Sequence, residues 1–177
     1  MEIIKTSIED LVIIKPIVFE DDRGYFQELF KESFIRKNFP KLDFIQVNES
    51  KSKKNVLRGL HFQQSIYAQT KLVRVVNGSI LDVVVDLREG SKTYGEHLSF
   101  KLSSDNKLQL LVPKGFAHGF IVQSEEAIIQ YFVDTPYSKN HEAGINYSSS
   151  RLKIDWGLEK GTKPILSTKD KLLPNWI

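Results

Sequence analysis

The 177-residue chain contains no cysteine. That excludes a disulfide framework, a zinc–thiolate centre and a thiol nucleophile. No apolar run approaches the roughly 18 residues that a membrane-spanning helix needs. The first fifteen residues, MEIIKTSIEDLVIIK, are broken by charges and hold no hydrophobic signal core, so export is not expected and a cytoplasmic location is. Charge of neither sign dominates: 25 Lys and Arg stand against 22 Asp and Glu. Such a mildly basic balance reads as a lysine-rich surface, and neither a nucleic-acid nor a membrane partner is expected. Repeats, linkers and low-complexity stretches are also missing. What remains, 41% hydrophobic and 27% charged residues, is the composition of a globular protein. Its length suits one domain over residues 1–177 with a sizeable core.

Most of the chain reads as short strands punctuated by turns. Strand-like segments are expected at 11–19, 25–30, 44–50, 55–62, 70–76, 79–88, 95–102, 108–113, 119–123 and 127–133. Pro16 marks an edge or bend within the first of them, and Asn77-Gly78 marks a tight hairpin. Helical spacing appears over 31–39 and, briefly, in the tail LSTKDKLLPNWI. Many strands with little helix predict an all-β sandwich or barrel.

The segment Asn55–Val75, NVLRGLHFQQSIYAQTKLVRV, threads Arg58, His61, Gln63, Lys71 and Arg74 through apolar residues. Burying charge without a partner is costly, so such a pattern implies a liganded cavity at one end of the sandwich. Strict alternation puts Arg58, Leu60 and Phe62 on one face, and Gly59, His61 and Gln63 on the other. Lys71 lies opposite in pleat to Leu72 and Arg74.

A second segment, PKGFAHGF at 113–120, carries a Pro-x-Gly-x-x-His run that resembles the second motif of the cupin jelly rolls. A metal-binding cupin would add a His-x-His pair and a Glu in its first motif. Here that place reads His61-Phe62-Gln63, a single imidazole, so no metal is expected. His97 and His141 fall on an outer strand and a loop. His61 is then a candidate base, Asp170 in STKD its orienting acid, and Tyr131 either a proton donor or a core aromatic.

Seven segments in register, DDRGYFQELF, FIQVNES, NVLRGLHFQ, AQTKLVRVVNGSILDVVVDLR, QLLVPKGFAHGF, YSKNHEAGI and LSTKD, resemble the dTDP-4-dehydrorhamnose 3,5-epimerase family. The resemblance covers roughly residues 11–170. It implies a cupin-like jelly roll with a few short helices. It also implies a cofactor-free, metal-independent isomerase that inverts C3 and C5 of a dTDP-4-keto-6-deoxy-hexose on the way to a deoxysugar. By that resemblance His61 is the general base, Asp170 its partner, Tyr131 the proton donor and Lys71 the cation beside the 4-keto oxygen. Substrate contacts fall on Arg23, Glu28, Gln46, Val47, Asn48, Arg58, His118, Glu142 and Lys169, with Tyr137 stacking on the base. The family's subunits are homodimers with exchanged N-terminal strands, so part of the first motif is expected to serve the partner's site. The chain departs from the family pattern at QSIYAQ, FVDTP and NYSSS, near the mouth of the expected site. Those departures leave open an enzyme that inverts only C3 or only C5 of a related nucleotide sugar. A metal-dependent cupin and a non-catalytic nucleotide-sugar-binding module are the competing readings.

Overall fold

The computed structural model describes residues 1–176. Four strands, β1 (Glu2–Lys5), β2 (Val12–Lys15), β3 (Val18–Asp21) and β4 (Gly24–Gln27), precede helix α1 (Glu32–Asn38). Then come β5 (Gln46–Lys53), β6 (Leu57–Gln63), β7 (Lys71–Asn77), β8 (Ser79–Asp86) and β9 (His97–Ser103). The series closes with β10 (Gln109–Val112), β11 (Phe116–Val122), β12 (Glu126–Val133), β13 (Glu142–Gly144) and α2 (Thr168–Lys171). The predicted segments are all present. The segment at 11–19 divides at Pro16, which has no N–H to donate to a continuous ladder. Strands β1 and β13 add to the expected set.

A six-stranded antiparallel sheet runs β1-β2-β10-β7-β12-β5, and a five-stranded one runs β13-β6-β11-β8-β9. They pack face to face, as expected of a jelly-roll sandwich. Between them lies a core of Val73, Val75, Leu110, Ala127 and Ile129 from the first sheet and Ile80, Val84, Leu102, Phe116 and Phe120 from the second. Each sheet is also covered outside. Ile35 and Phe34 of α1 lie over Val12, Ile14, Leu72 and Leu111. Ile145, Leu152 and Trp156 from the C-terminal segment lie over Leu57, Leu60, Val83 and Ile121. Covering both faces explains why β8 and β11 read as continuous apolar runs. Strands β3 and β4 form a separate hairpin. No helix among the described residues is long and apolar enough to cross a membrane.

The alternation expected for β6 does not hold. His61 pairs with His118, but Arg58 pairs with Phe120, so three steps along β6 oppose two along β11. The extra residue is a bulge, which shifts the side-chain phase. As a result Leu57 and Leu60 both join the outer cluster. Arg58 and His61, an odd number of residues apart, both line the interior cavity. Along β7 the alternation does hold: Lys71 lines the cavity, while Arg74, on the opposite pleat face with Leu72, lies on the outer face of the sheet, 3.5 Å from Gln130 Oε1.

The bulge requires two glycines. Gly59 has φ +128, which side chains rarely adopt, and a Cβ there would lie 2.5 Å from Gly119 Cα. At Gly119 a Cβ would meet Arg58 O at 2.7 Å and Gly59 Cα at 3.0 Å. These neighbours are backbone and cannot swing aside. Gly119→Ala should therefore destabilise the protein by about 2 kcal/mol, lowering Tm by roughly 4–8 °C in thermal denaturation. An unchanged Tm would show that β6 and β11 can separate there at little cost.

Candidate active site

Strands from both sheets deliver polar side chains into one cavity of about 300 Å³. Strand β6 supplies Arg58 and His61, β7 supplies Lys71, β11 supplies His118, and β12 supplies Tyr131. Helix α2 closes the wall with Lys169 and Asp170. Its N-cap is Ser167, whose hydroxyl accepts from the Asp170 N–H at 3.0 Å. That cap fixes where the Asp170 carboxylate points.

Asp170 Oδ1 lies 2.5 Å from His61 Nε2. With the proton on Nε2 and donated to Asp170, the Nδ1 lone pair of His61 is free. Burial pushes the His61 pKa below its ordinary value, and Asp170 only partly offsets that. The imidazole is therefore largely neutral at pH 7 and able to accept a proton. Burial also lowers the Lys71 pKa, to about 8, against the opposing pull of Asp82 and Glu142. At pH 7 Lys71 remains mostly an ammonium ion. Tyr131 is pushed up by burial, so it keeps its proton.

Deeper in the wall His118 Nε2 meets both Asp82 oxygens, at 2.8 and 2.9 Å. Asp82 is fully buried. A buried carboxylate needs partners, and it has His118 as well as the field of Lys71. At the mouth, Glu142 pairs with Lys169 and accepts from the Tyr137 hydroxyl at 2.8 Å. Burial raises the Glu142 pKa, but the bonds to Lys169 and Tyr137 outweigh it and hold the carboxylate below its usual range. Tyr137 itself is exposed.

Gln46 and Asn48 share the inner face of β5 near the rim, the Gln46 amide donating to Asn48 Oδ1 at 2.7 Å. Val47 points the other way and is exposed. Arg23 and Glu28 do not reach the cavity in this chain. Arg23 sits at the tip of the β3–β4 hairpin, 2.5 Å from Asp21, and Glu28 pairs with Lys31. Among the described residues no three His, Asp or Glu side chains converge where they could share a metal ion.

The family model for dTDP-4-dehydrorhamnose 3,5-epimerase matches residues 5–177. The Escherichia coli dTDP-4-dehydrorhamnose 3,5-epimerase is 47% identical over 98% of this chain and 93% of that protein. The chain belongs to the dTDP-4-dehydrorhamnose 3,5-epimerase family. The crystal structure of the Elizabethkingia anophelis epimerase superposes with a TM-score of 0.93 at 45% identity, over 99% of this chain and 96% of that one. The Legionella pneumophila dTDP-6-deoxy-D-glucose-3,5-epimerase, solved with dTDP-4-keto-L-rhamnose, gives 0.90 at 40% identity, over 99% and 98%. The jelly roll is thus the cupin-like fold of this epimerase family.

Sequence reasoning missed two contributors. Asp82 was visible as the one acid inside the apolar run SILDVVV, a signal that something interior must balance it. Ser52, whose hydroxyl accepts from Arg58 Nε at 3.0 Å, gave no such signal. Gln63, conspicuous in the sequence beside His61, does not line the cavity; it donates to Tyr67 O and Pro136 O and accepts from the Ser138 N–H at 2.6 Å. Those bonds tie down the loop that carries Tyr137. Because Asp82 raises the Lys71 pKa, Asp82→Asn should move the Lys71 titration further below 8, as read by NMR of labelled lysine. A midpoint that stays near 8 would mean Asp82 does not act on Lys71.

Proposed function

We propose that the chain inverts C3 and C5 of a dTDP-4-keto-6-deoxy-hexose through an enolate. His61 takes the proton from the carbon beside the ketone, and the electron pair moves onto O4. The Lys71 ammonium stabilises that oxyanion. The Tyr131 hydroxyl returns a proton from the opposite face; His61 then releases its extra proton to solvent and the Tyr131 phenolate takes one up, which resets both groups. Asp170 orients the imidazole and stabilises its cationic form. Arg58 and Lys169 match the diphosphate, since guanidinium and ammonium groups bind phosphate oxygens. His118, Gln46 and Asn48 contact the substrate, and Glu142 holds Tyr137 and Lys169 at the mouth. Tyr137 stacks on the base.

One observation carries this reading: a neutral imidazole, a protonated lysine and a phenol kept neutral by burial share one small cavity. A gap on the order of ten pKa units between such a C–H and histidine amounts to ~14 kcal/mol. A base alone cannot supply that. A preorganised cation beside the developing negative charge usually stabilises the transition state more than any other single group. A non-catalytic binding module has no need of this set.

The working unit we propose is a homodimer. Phe19, Tyr25 and Phe26 on the hairpin are more than half exposed, as are Ile45 and Val47 at the β5 edge of the six-stranded sheet. An apolar surface of this kind suits a subunit interface. In the dimer, Arg23, Glu28 and Val47 belong to the joint between subunits, with Arg23 serving the neighbouring cavity.

Incubation with dTDP-4-keto-6-deoxyglucose in deuterated water, followed by NMR, tests the reaction. Wild-type protein should incorporate deuterium at C3 and C5, and His61→Ala should lose at least about 10²-fold in rate while staying folded. Tyr131→Phe should still exchange deuterium but invert slowly, because the enolate forms without a donor on the far face. Inversion by Tyr131→Phe at the wild-type rate would remove the tyrosine from the mechanism. Exchange at C3 alone would make the enzyme a mono-epimerase.

The pH dependence has a defined sign. Activity should rise as His61 loses its proton, below its ordinary value of 6.5, and fall as Lys71 loses its charge near pH 8. Lys71→Met should bind substrate yet turn over poorly, and its profile should lack the alkaline limb. An alkaline limb that survives in Lys71→Met belongs to another group.

A further inference from the structure

The inner face of β5 is polar where a core strand would be apolar. Asn48, Ser50 and Ser52 alternate along it, opposite Tyr131, Ile129 and Ala127 of β12. Two of the three are engaged within the protein. Asn48 accepts from Gln46, and Ser52 accepts from Arg58. Ser50 is not: its Oγ is buried and has no hydrogen-bond partner among the described residues. The same residue lines the cavity that holds His61, Lys71 and Tyr131.

A buried hydroxyl without a partner carries a desolvation cost that nothing in the free protein offsets. Buried polar groups are nearly always bonded, so an orphan in a cavity wall points to a ligand. Replacing Ser50 by an apolar residue of similar size would relieve the cost. Its presence beside the reactive groups is explained if a bound molecule supplies the missing bond.

The register says which part of that molecule. Tyr131 pairs with Asn48 and Ile129 with Ser50, so Ser50 sits one step beyond Tyr131 toward the Ser52–Arg58 pair. If the sugar ring lies at Tyr131 and the diphosphate at Arg58, Ser50 faces the junction between them. We propose that the Ser50 hydroxyl is a substrate-binding contact that donates to an oxygen at that junction. The acceptor is either a sugar oxygen or an oxygen of the sugar-linked phosphate. This inference rests on the epimerase reading of the cavity.

Ser50→Ala tests it by three measurements on the full-length protein. The Tm without ligand should be unchanged or higher, because the removed hydroxyl had no partner. KM for dTDP-4-keto-6-deoxyglucose should rise about five- to twentyfold with kcat within about twofold, the signature of a contact made equally before and during reaction. Calorimetry with dTDP alone locates the acceptor. A matching loss of dTDP affinity assigns the phosphate oxygen, and an unchanged dTDP affinity beside the raised KM assigns the sugar oxygen. A wild-type KM in Ser50→Ala overturns the contact. A fall of several degrees in the unliganded Tm also overturns it, since Ser50 would then be partnered in the free protein. The wild-type protein run alongside separates the two readings. No turnover by wild type overturns the epimerase assignment, whereas normal wild-type turnover with an unaltered Ser50→Ala KM overturns only the Ser50 contact.

Discussion

The close approach of β6 and β11 at Gly59 and Gly119 is the constraint on which the cavity depends. There, with no Cβ on either strand, the extra residue is taken up without driving the strands apart. The extra residue changes the phase of β6, so that Leu57 and Leu60 both face the C-terminal covering segment. In the same move Arg58 and His61 both turn inward. A regular strand would have sent one of them out. The phosphate-facing cation and the base we propose would then lie on opposite sides of a sheet.

Once those groups face inward, the interior must manage their charges. It does so by dividing the sandwich along its length. One part is apolar, filled by Val75, Ile80, Leu102 and Ile129. The other holds acids and bases in interlocking pairs: His61 with Asp170, His118 with Asp82, and Lys169 with Glu142. Lys71 has no carboxylate in direct contact among the described residues, and burial lowers its pKa to about 8. A lysine already bonded to a carboxylate would have less to offer a developing oxyanion. The partial destabilisation of the Lys71 charge in the free protein is therefore consistent with a role in stabilising charge elsewhere.

Asp170 shows how local and distant chain segments cooperate. Residue 170 lies more than a hundred positions from His61, and its placement relies on a helix of four residues. So short a helix has little stability of its own. Its Ser167 cap and the bridge from Val56 to Ile165 hold the tail beside β6. The covering segment over the five-stranded sheet thus has two functions: it buries Leu57 and Leu60, and it delivers the acid of the His–Asp pair.

Much of this was readable in the sequence. Alternating and continuous apolar runs determine the strands, and Pro16 and Asn77-Gly78 determine where they break and turn, because these effects act between neighbours in the chain. The positions of His61, Lys71 and His118 could be picked out because charge and imidazole inside apolar segments are costly and therefore conspicuous, whereas Tyr131 and Asp170 took their roles from the resemblance to the epimerase family. Other features were decided only by the tertiary structure. The direction of Arg58 depends on a register shift between two strands, and no alternation rule written along one strand contains it. The exclusion of Arg74 from the cavity depends on which face of β7 meets the second sheet. The buried Asp82 and the unpartnered Ser50 acquire meaning only from what lies across the cavity from them. Hydrogen-bond satisfaction is a property of three-dimensional neighbours, and a sequence contains only neighbours along the chain.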